Sequence, residues 1–158
     1  MTDPELLAYH EAGHVVVAAE CGGRVLSASV DVEWDGEGPP REGEIVVDWP
    51  RGRTAKADVW VALAGPVAET IYRGHDEPDG SELAGWQEDW RAAAAAVSHL
   101  FDTRADRTRH LNAAASDLYA FLTRDDVWAV VGDVADALSA HEQLDEEMLG
   151  DLLGAWGM

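Results

Sequence analysis

The chain reads as an α+β, mainly helical protein: a leading helix, a small β-sheet beside it and a C-terminal helical bundle, in one domain spanning residues 1–158. Three observations predict this. Long segments carry apolar residues at helical spacing between recognisable start and stop signals. Only two short segments alternate as half-buried strands do. The length suits one core, and at 47% hydrophobic residues burial can offset chain entropy without disulfides.

The elements follow in order. Thr2-Asp3-Pro4-Glu5 is a helix start, with a capping side chain, an early proline and a glutamate three residues after Thr2. The helix runs through Leu6, Leu7, Tyr9, His10, His14, Val15 and Val17 to Cys21, where Gly22-Gly23 ends it. Val25 to Trp34 is a strand in which Val30, Val32 and Trp34 alternate with Ser29, Asp31 and Glu33. Asp35 to Glu42, with two glycines and two prolines, is a loop, and Gly43 to Trp49 is a second strand closed by Pro50. The two are expected to pair as an antiparallel hairpin. Thr54 to Tyr72 is helical, with Val59, Leu63, Val67 and Ile71 four apart, Gly65-Pro66 as a kink and Arg73-Gly74 as the stop. His75 to Gly85 is polar and turn-rich. Further helices are expected over Gln87–Leu100, Arg107–Leu122, Asp125–Ala140 and Asp145–Trp156.

Charge narrows the function. Thirty-one acidic side chains against 11 basic ones give a formal charge of −20. Such a surface repels phosphate backbones and excludes nucleic acid as a partner; a preference for cationic substrates is the functional reading, solubility the plain one. No apolar stretch approaches the ~18 residues of a membrane span, and the acidic N-terminus is unlike a signal peptide. Cys21 is the lone cysteine, so no internal disulfide can form, and a cytoplasmic location is expected.

His10-Glu11-Ala12-Gly13-His14 is an HExxH pattern inside the leading helix. Residues four apart lie one turn apart on one helical face, so both imidazoles can reach one ion. Glu11 follows His10 by about 100° around the axis, which sets its carboxylate beside the ion and near a water. Two histidines with an open position suit catalytic zinc, whose bound water is acidified toward pKa ~7. A third protein ligand is needed. The metzincin continuation is excluded because Val17 and Glu20 stand where glycine and histidine would be. A thermolysin-like glutamate is disfavoured because Glu33, Glu37, Glu42 and Glu44 fall in strand or loop. The ligand is therefore expected from a later helix.

Ala8 through Ala18 closely resembles the zinc helix of the FtsH family, the membrane AAA+ proteases. Ala62-Leu63-Ala64-Gly65-Pro66-Val67-Ala68-Glu69 is similar to that family's second-helix segment, in which a glycine precedes an Ala-Glu pair. Gly85-Trp86-Gln87-Glu88-Asp89 is similar to its Gly-x-x-Asn-Asp segment, whose closing aspartate is the third zinc ligand. The resemblance thus implies an FtsH-peptidase-like fold, zinc held by His10, His14 and Asp89, and Glu11 as the catalytic base. Departures are plain: Glu88 replaces asparagine, Trp86 and Trp90 are bulky, and the 158 residues hold no Walker motif or membrane segment.

The expected activity is that of a zinc metalloendopeptidase acting on peptides or unfolded segments without ATP of its own, with a separate ATPase as a candidate partner and the Gly43–Trp49 strand as an edge that an extended substrate joins. The rivals are a non-catalytic zinc-binding module and a metal-free helical interaction domain. His75, His99, His110 and His141 share no ligand spacing and read as surface or helix histidines. Trp60 and Trp128 fit core faces, whereas Trp34, Trp49 and Trp86 fit a cleft edge. Cys21 has no activating pattern and reads as an inert thiol, and Tyr9 as a packing residue.

Overall fold

Alanine, valine and leucine dominate the leading helix on every side, and a helix apolar all round belongs in the interior. In the computed structural model, which describes residues 4–30, 44–74 and 87–154, this helix is α1, Pro4–Glu20. Ala8, Ala12 and Val15 to Ala18 are fully or almost fully buried. The expected cap at residues 2 and 3 lies outside the described residues. At the other end Gly22 takes φ 96°, and the amides of Gly22 and Gly23 bond back to the carbonyls of Ala19 and Ala18 at 3.1 and 2.9 Å. That pairing is a Schellman stop, and the left-handed residue it needs is glycine.

Six helices and three strands are described. β1 (Arg24–Ser29) and β2 (Glu44–Asp48) pair antiparallel, with a bulge between Val25 and Ser27. The strand expected to reach Trp34 stops at Ser29; residues 31–43 lie outside the described set. α2 (Ala55–Tyr72) begins at Thr54, whose hydroxyl accepts from the Ala57 amide at 3.1 Å, and it continues as one helix through Pro66. α3 (Gln87–Val97) is three residues shorter than expected, since residues 98–100 form a turn. α4 (Arg104–Leu122) is capped by Thr103, α5 is Asp125–His141 and α6 is Glu146–Gly154.

A strand stands where helix was expected to begin. β3 (Gln143–Asp145) pairs antiparallel with β1, so the sheet order is β2-β1-β3. Glu142, at φ 64°, turns the chain sharply out of α5, and its carbonyl accepts from the Val30 amide at 2.9 Å. Asp145 then caps α6 by accepting from the Met148 amide at 2.9 Å.

The core lies where α1 meets α2, α5 and the inner face of the sheet, and α2 in turn carries α3 and α4 on its other side. Ala93, Ala96 and Val97 are the buried residues of α3. Two helices therefore bring function-bearing residues to one place, α1 directly and α3 by leaning on α2.

Candidate metal centre

The centre begins with a close approach of two helices. A Cβ at Gly13 would lie 2.7 Å from both the Ala64 carbonyl oxygen and the Ala68 Cβ, so only glycine lets α1 settle this deep against α2. At the residue after Ala64, a Cβ on Gly65 would strike the ring nitrogen of His14 and lie 2.6 Å from that of His10. The small residues between Ala62 and Ala68 thus make room for two imidazoles against a helix backbone.

α1 sets His10 and His14 one turn apart, their ring centroids 4.9 Å apart and their planes at 73°. Each ring is held from behind. His10 Nδ1 lies 2.9 Å from Glu69 Oε1, and His14 Nδ1 lies 2.6 Å from the Val61 carbonyl oxygen. A carbonyl can only accept, so the proton of His14 sits on Nδ1; a carboxylate imposes the same choice on His10. In the neutral rings both Nε2 lone pairs therefore face one point, 3.2 Å apart. α3 adds an acceptor there: Asp89 Oδ2 lies 2.8 Å from His10 Nε2 and 3.5 Å from His14 Nε2.

Three electron-rich atoms so close demand a cation between them. A tetrahedral zinc ion with ligands at ~2.05 Å would set its ligand atoms about 3.3 Å apart. The observed separations of 2.8, 3.2 and 3.5 Å bracket that value, and two imidazoles with one carboxylate are a donor set zinc accepts. The residues fit the ion. Without one, protons fill the role. Burial works against charge on His10, but the carboxylates of Asp89 and Glu69 outweigh it and push its pKa up to about 10. His14 is raised in the same way, its burial outweighed by Asp89. Burial would raise Asp89, yet hydrogen bonds from both imidazoles hold it well below the usual carboxylate range.

Glu11 differs from every other carboxylate here. It is 6% exposed, it lines the neighbouring cleft, and its side chain accepts no hydrogen bond among the described residues. Burial raises its pKa, against the opposing pull of His14 and His10. A poised, unengaged carboxylate next to a cation-seeking cluster is what proton transfer to and from a water requires.

The cleft, about 610 Å³, opens between β2, α2 and α3. Ile45, Val47 and Trp49 form one wall; Ala92, Ala96 and His99 follow Asp89 along the other. A somewhat larger cleft of about 730 Å³ lies across the molecule, between Arg24, Arg124 and Leu149, and has no histidine in its lining. Chemistry, not size, distinguishes the two.

The structure brings His10, Glu11, His14 and Asp89 together. His99 is exposed, as a surface histidine is expected to be, and also lines the cleft. His110 packs against Phe101, with its buried Nε2 unpartnered among the described residues, and His141 is exposed; His75 lies outside the described set. Tyr9 is stacked between Tyr72 and Trp128, at 4.6 and 5.3 Å. Trp60 and Trp128 pack partly buried against the core, and Trp34 and Trp86 lie outside the described residues. Trp90 is exposed and does not line the cleft. Cys21 is half-buried, with burial pushing its thiol pKa up. The sequence gives Glu69 no role and Gly65 only that of a kink, although both lie in the segment similar to the FtsH second helix. The signal in the sequence is a glutamate closing the apolar run from Val59 to Ala68; the structure leaves it 9% exposed. Among the described residues His10, His14 and Asp89 form the one cluster able to hold a metal, and no helix is long and apolar enough to cross a membrane.

No protein-family profile matches the chain, and no curated protein matches it.

Proposed function

We propose that this protein is a zinc-dependent metalloendopeptidase that hydrolyses peptide bonds in peptides or unfolded segments. The observation that carries the reading is the convergence of His10 Nε2, His14 Nε2 and Asp89 Oδ2 on one point beside the unengaged carboxylate of Glu11. A structural metal site has no use for that buried, unpaired acid; a hydrolytic one does. The resemblance of the zinc helix and of the Gly85–Asp89 segment to the FtsH family supports the same reading and the same fold.

His10, His14 and Asp89 would hold the ion, and Glu69 and the Val61 carbonyl would keep the imidazoles aimed at it. When bound, zinc supplies Lewis acidity, which polarises the scissile carbonyl and acidifies a water. Glu11 takes a proton from that water as its oxygen bonds to the carbonyl carbon. As the carbon–nitrogen bond breaks, Glu11 returns the proton to the leaving amine. β2 pairs only with β1 among the described residues, so its outer edge is available to align an extended substrate along the cleft.

These residues include no nucleotide-binding motif. They act on chains already unfolded, and a separate ATPase would be needed to deliver folded ones. The charge of −20 argues against a nucleic-acid partner, and the lone Cys21 favours a reducing, cytoplasmic setting.

The test is hydrolysis of unfolded casein by zinc-loaded protein, with and without chelator, beside Glu11→Gln. Expected are about one zinc per chain in both proteins, chelator-sensitive cleavage by the parent, and a loss of about 10²-fold or more in the variant. Zinc binding with no cleavage by the parent would replace this reading with a non-catalytic zinc module. Equal cleavage by the variant would remove Glu11 as the base.

A further inference from the structure

The cleft that holds the centre has two apolar walls with room between them. On one side Ile45, Val47 and Trp49 pack against the core and remain partly exposed. On the other, every lining residue between Asp89 and His99 is an alanine: Ala92 and Ala95, both exposed, and Ala96, which is buried. Glu11, 6% exposed and unengaged among the described residues, lines the same cleft, so the apolar walls and the centre share one space. The charged groups of the lining outside the centre are already engaged. Arg53 is tied to Asp58 at 2.9 Å, and Glu44 has a partner. His99 stands ten residues past Asp89, roughly 15 Å away at a helical rise. Ala92 is much nearer. Three residues after Asp89, it is that ligand's neighbour on the same helical face.

Resting on the peptidase reading above, we infer that the cleft takes a peptide with a bulky apolar side chain beside the scissile bond, and that Ala92 sets how large that side chain can be. A peptide bond held at the centre lies within a side chain's reach of the next turn of α3. A leucine or phenylalanine there enters the room left by Ala92 and covers the apolar wall of Val47 and Trp49, which removes both surfaces from water. An alanine leaves that wall wet. A charged side chain would lose its hydration with no free partner, since Glu11 is committed to the reacting water. The acidic field of the molecule acts on any cationic chain at long range, whereas contact with these walls acts on the one residue placed between them.

Three labelled peptides test this, each a glycine–serine host with two adjacent guest residues at its centre: leucine in the first, alanine in the second, lysine in the third. Binding to the zinc-loaded and to the metal-free protein is read by fluorescence anisotropy, hydrolysis by kcat/KM, and the position of the cut by mass. The leucine peptide should bind about 10-fold more tightly than the alanine peptide and be cut beside its guests. The lysine peptide should bind less tightly than the leucine one at low and at high salt. Ala92→Val and Ala92→Leu should lower the leucine preference in steps, to about 3-fold or less in Ala92→Leu, as added methyl groups take the room. Ala94→Leu, on the same helix but outside the cleft lining, should keep the preference of the parent. Both alanines are exposed, and far-ultraviolet dichroism checks that each variant folds. Equal binding of the three peptides, tightest binding of the lysine peptide, a preference unchanged by Ala92→Leu, or one lost equally in Ala94→Leu each overturns the inference. If leucine is preferred in binding and Ala92→Leu removes the preference, but nothing is cleaved, the apolar site stands and the peptidase reading falls. If all three peptides are cleaved equally, the peptidase reading stands and this inference falls.

Discussion

At the scale of single residues, the centre depends on fixing two tautomers. His14 is committed by the Val61 carbonyl, a partner no side-chain substitution removes, whereas His10 is committed by the carboxylate of Glu69. Glu69→Ala should therefore lower zinc affinity by about 10- to 100-fold through loss of orientation. Competition with a metal-sensitive dye measures it, and unchanged affinity would show that His10 needs no such support. In the proposed site Asp89 would ligate the ion directly. Asp89→Ala should weaken zinc far more severely than Glu69→Ala while the far-ultraviolet dichroism stays that of the parent, since the carboxylate lies outside the apolar core. Glu88→Ala is the control. Were it to lose zinc while Asp89→Ala kept it, the ligand would be the neighbour, and the FtsH-like assignment would be one residue out of register. The two histidines and Glu11 were legible as a motif because their spacing is local. Asp89 was legible only through resemblance, and Glu69 was not assigned at all. Nothing in a helical period says which distant carboxylate will stand behind an imidazole.

At the scale of elements, α1 and α2 are held together by what their small residues permit. Gly13 and Gly65 face different parts of the same contact: backbone and Ala68 in one case, the imidazoles in the other. They predict separable defects. Gly13→Ala must push the helices apart or shift them, an overpacking defect of about 1–3 kcal/mol that a denaturant midpoint reads. Gly65→Ala places its methyl on the two ring nitrogens, so zinc affinity should fall more than stability does. If Gly65→Ala binds zinc as the parent does, the approach of α2 to the rings is looser than the distances state. Helix boundaries were readable where chemistry marks them. The helix expected from Thr54 starts there, with Thr54 as its cap, and Gly22 stops α1 as glycines do; the helix expected from Arg107 instead starts at Arg104, capped by Thr103. β3 was missed for a matching reason. Its turn is made by Glu142 in a left-handed conformation that usually belongs to glycine or asparagine, and three residues show no period.

At the scale of the whole molecule, folding and metal binding are linked through protons. The metal-free site is held by imidazolium–carboxylate pairs. His10 has a folded pKa of about 10 against an unfolded 6.5, so its contribution is complete below about pH 6.5 and is lost as pH rises through about 10. Asp89 is shifted the other way, so its contribution is present above its unfolded value of 3.8 and is lost as pH falls. Chelator-treated protein should accordingly be most stable between about pH 4 and 6.5 and should weaken toward alkaline pH. Zinc must displace the imidazole protons, so binding near neutral pH should release protons, measurable as calorimetric heats that differ between buffers of different ionisation enthalpy. Buffer-independent heats would mean that the site is already deprotonated. Loaded protein should melt higher than chelated protein, by about 2.7 kcal/mol of stabilisation when free zinc is 100 times its dissociation constant.

By itself the sequence determined the mainly helical class, the leading helix with its paired histidines and intervening glutamate, the helix start at Thr54 and stop at Gly22, and the acidic charge. These are local or summed properties: helical period, terminal chemistry and composition act over a few residues or over all of them without regard to contacts. Only the tertiary structure decided that β3 joins β1, that β2 lies beside the cleft, that Glu69 stands 2.9 Å behind His10, and that α3 carries Asp89 to within 2.8 Å of the same ring. Each is a meeting of segments far apart in the chain. It is set by how closely small residues let α1, α2 and α3 pack, and that packing is a property of three faces together.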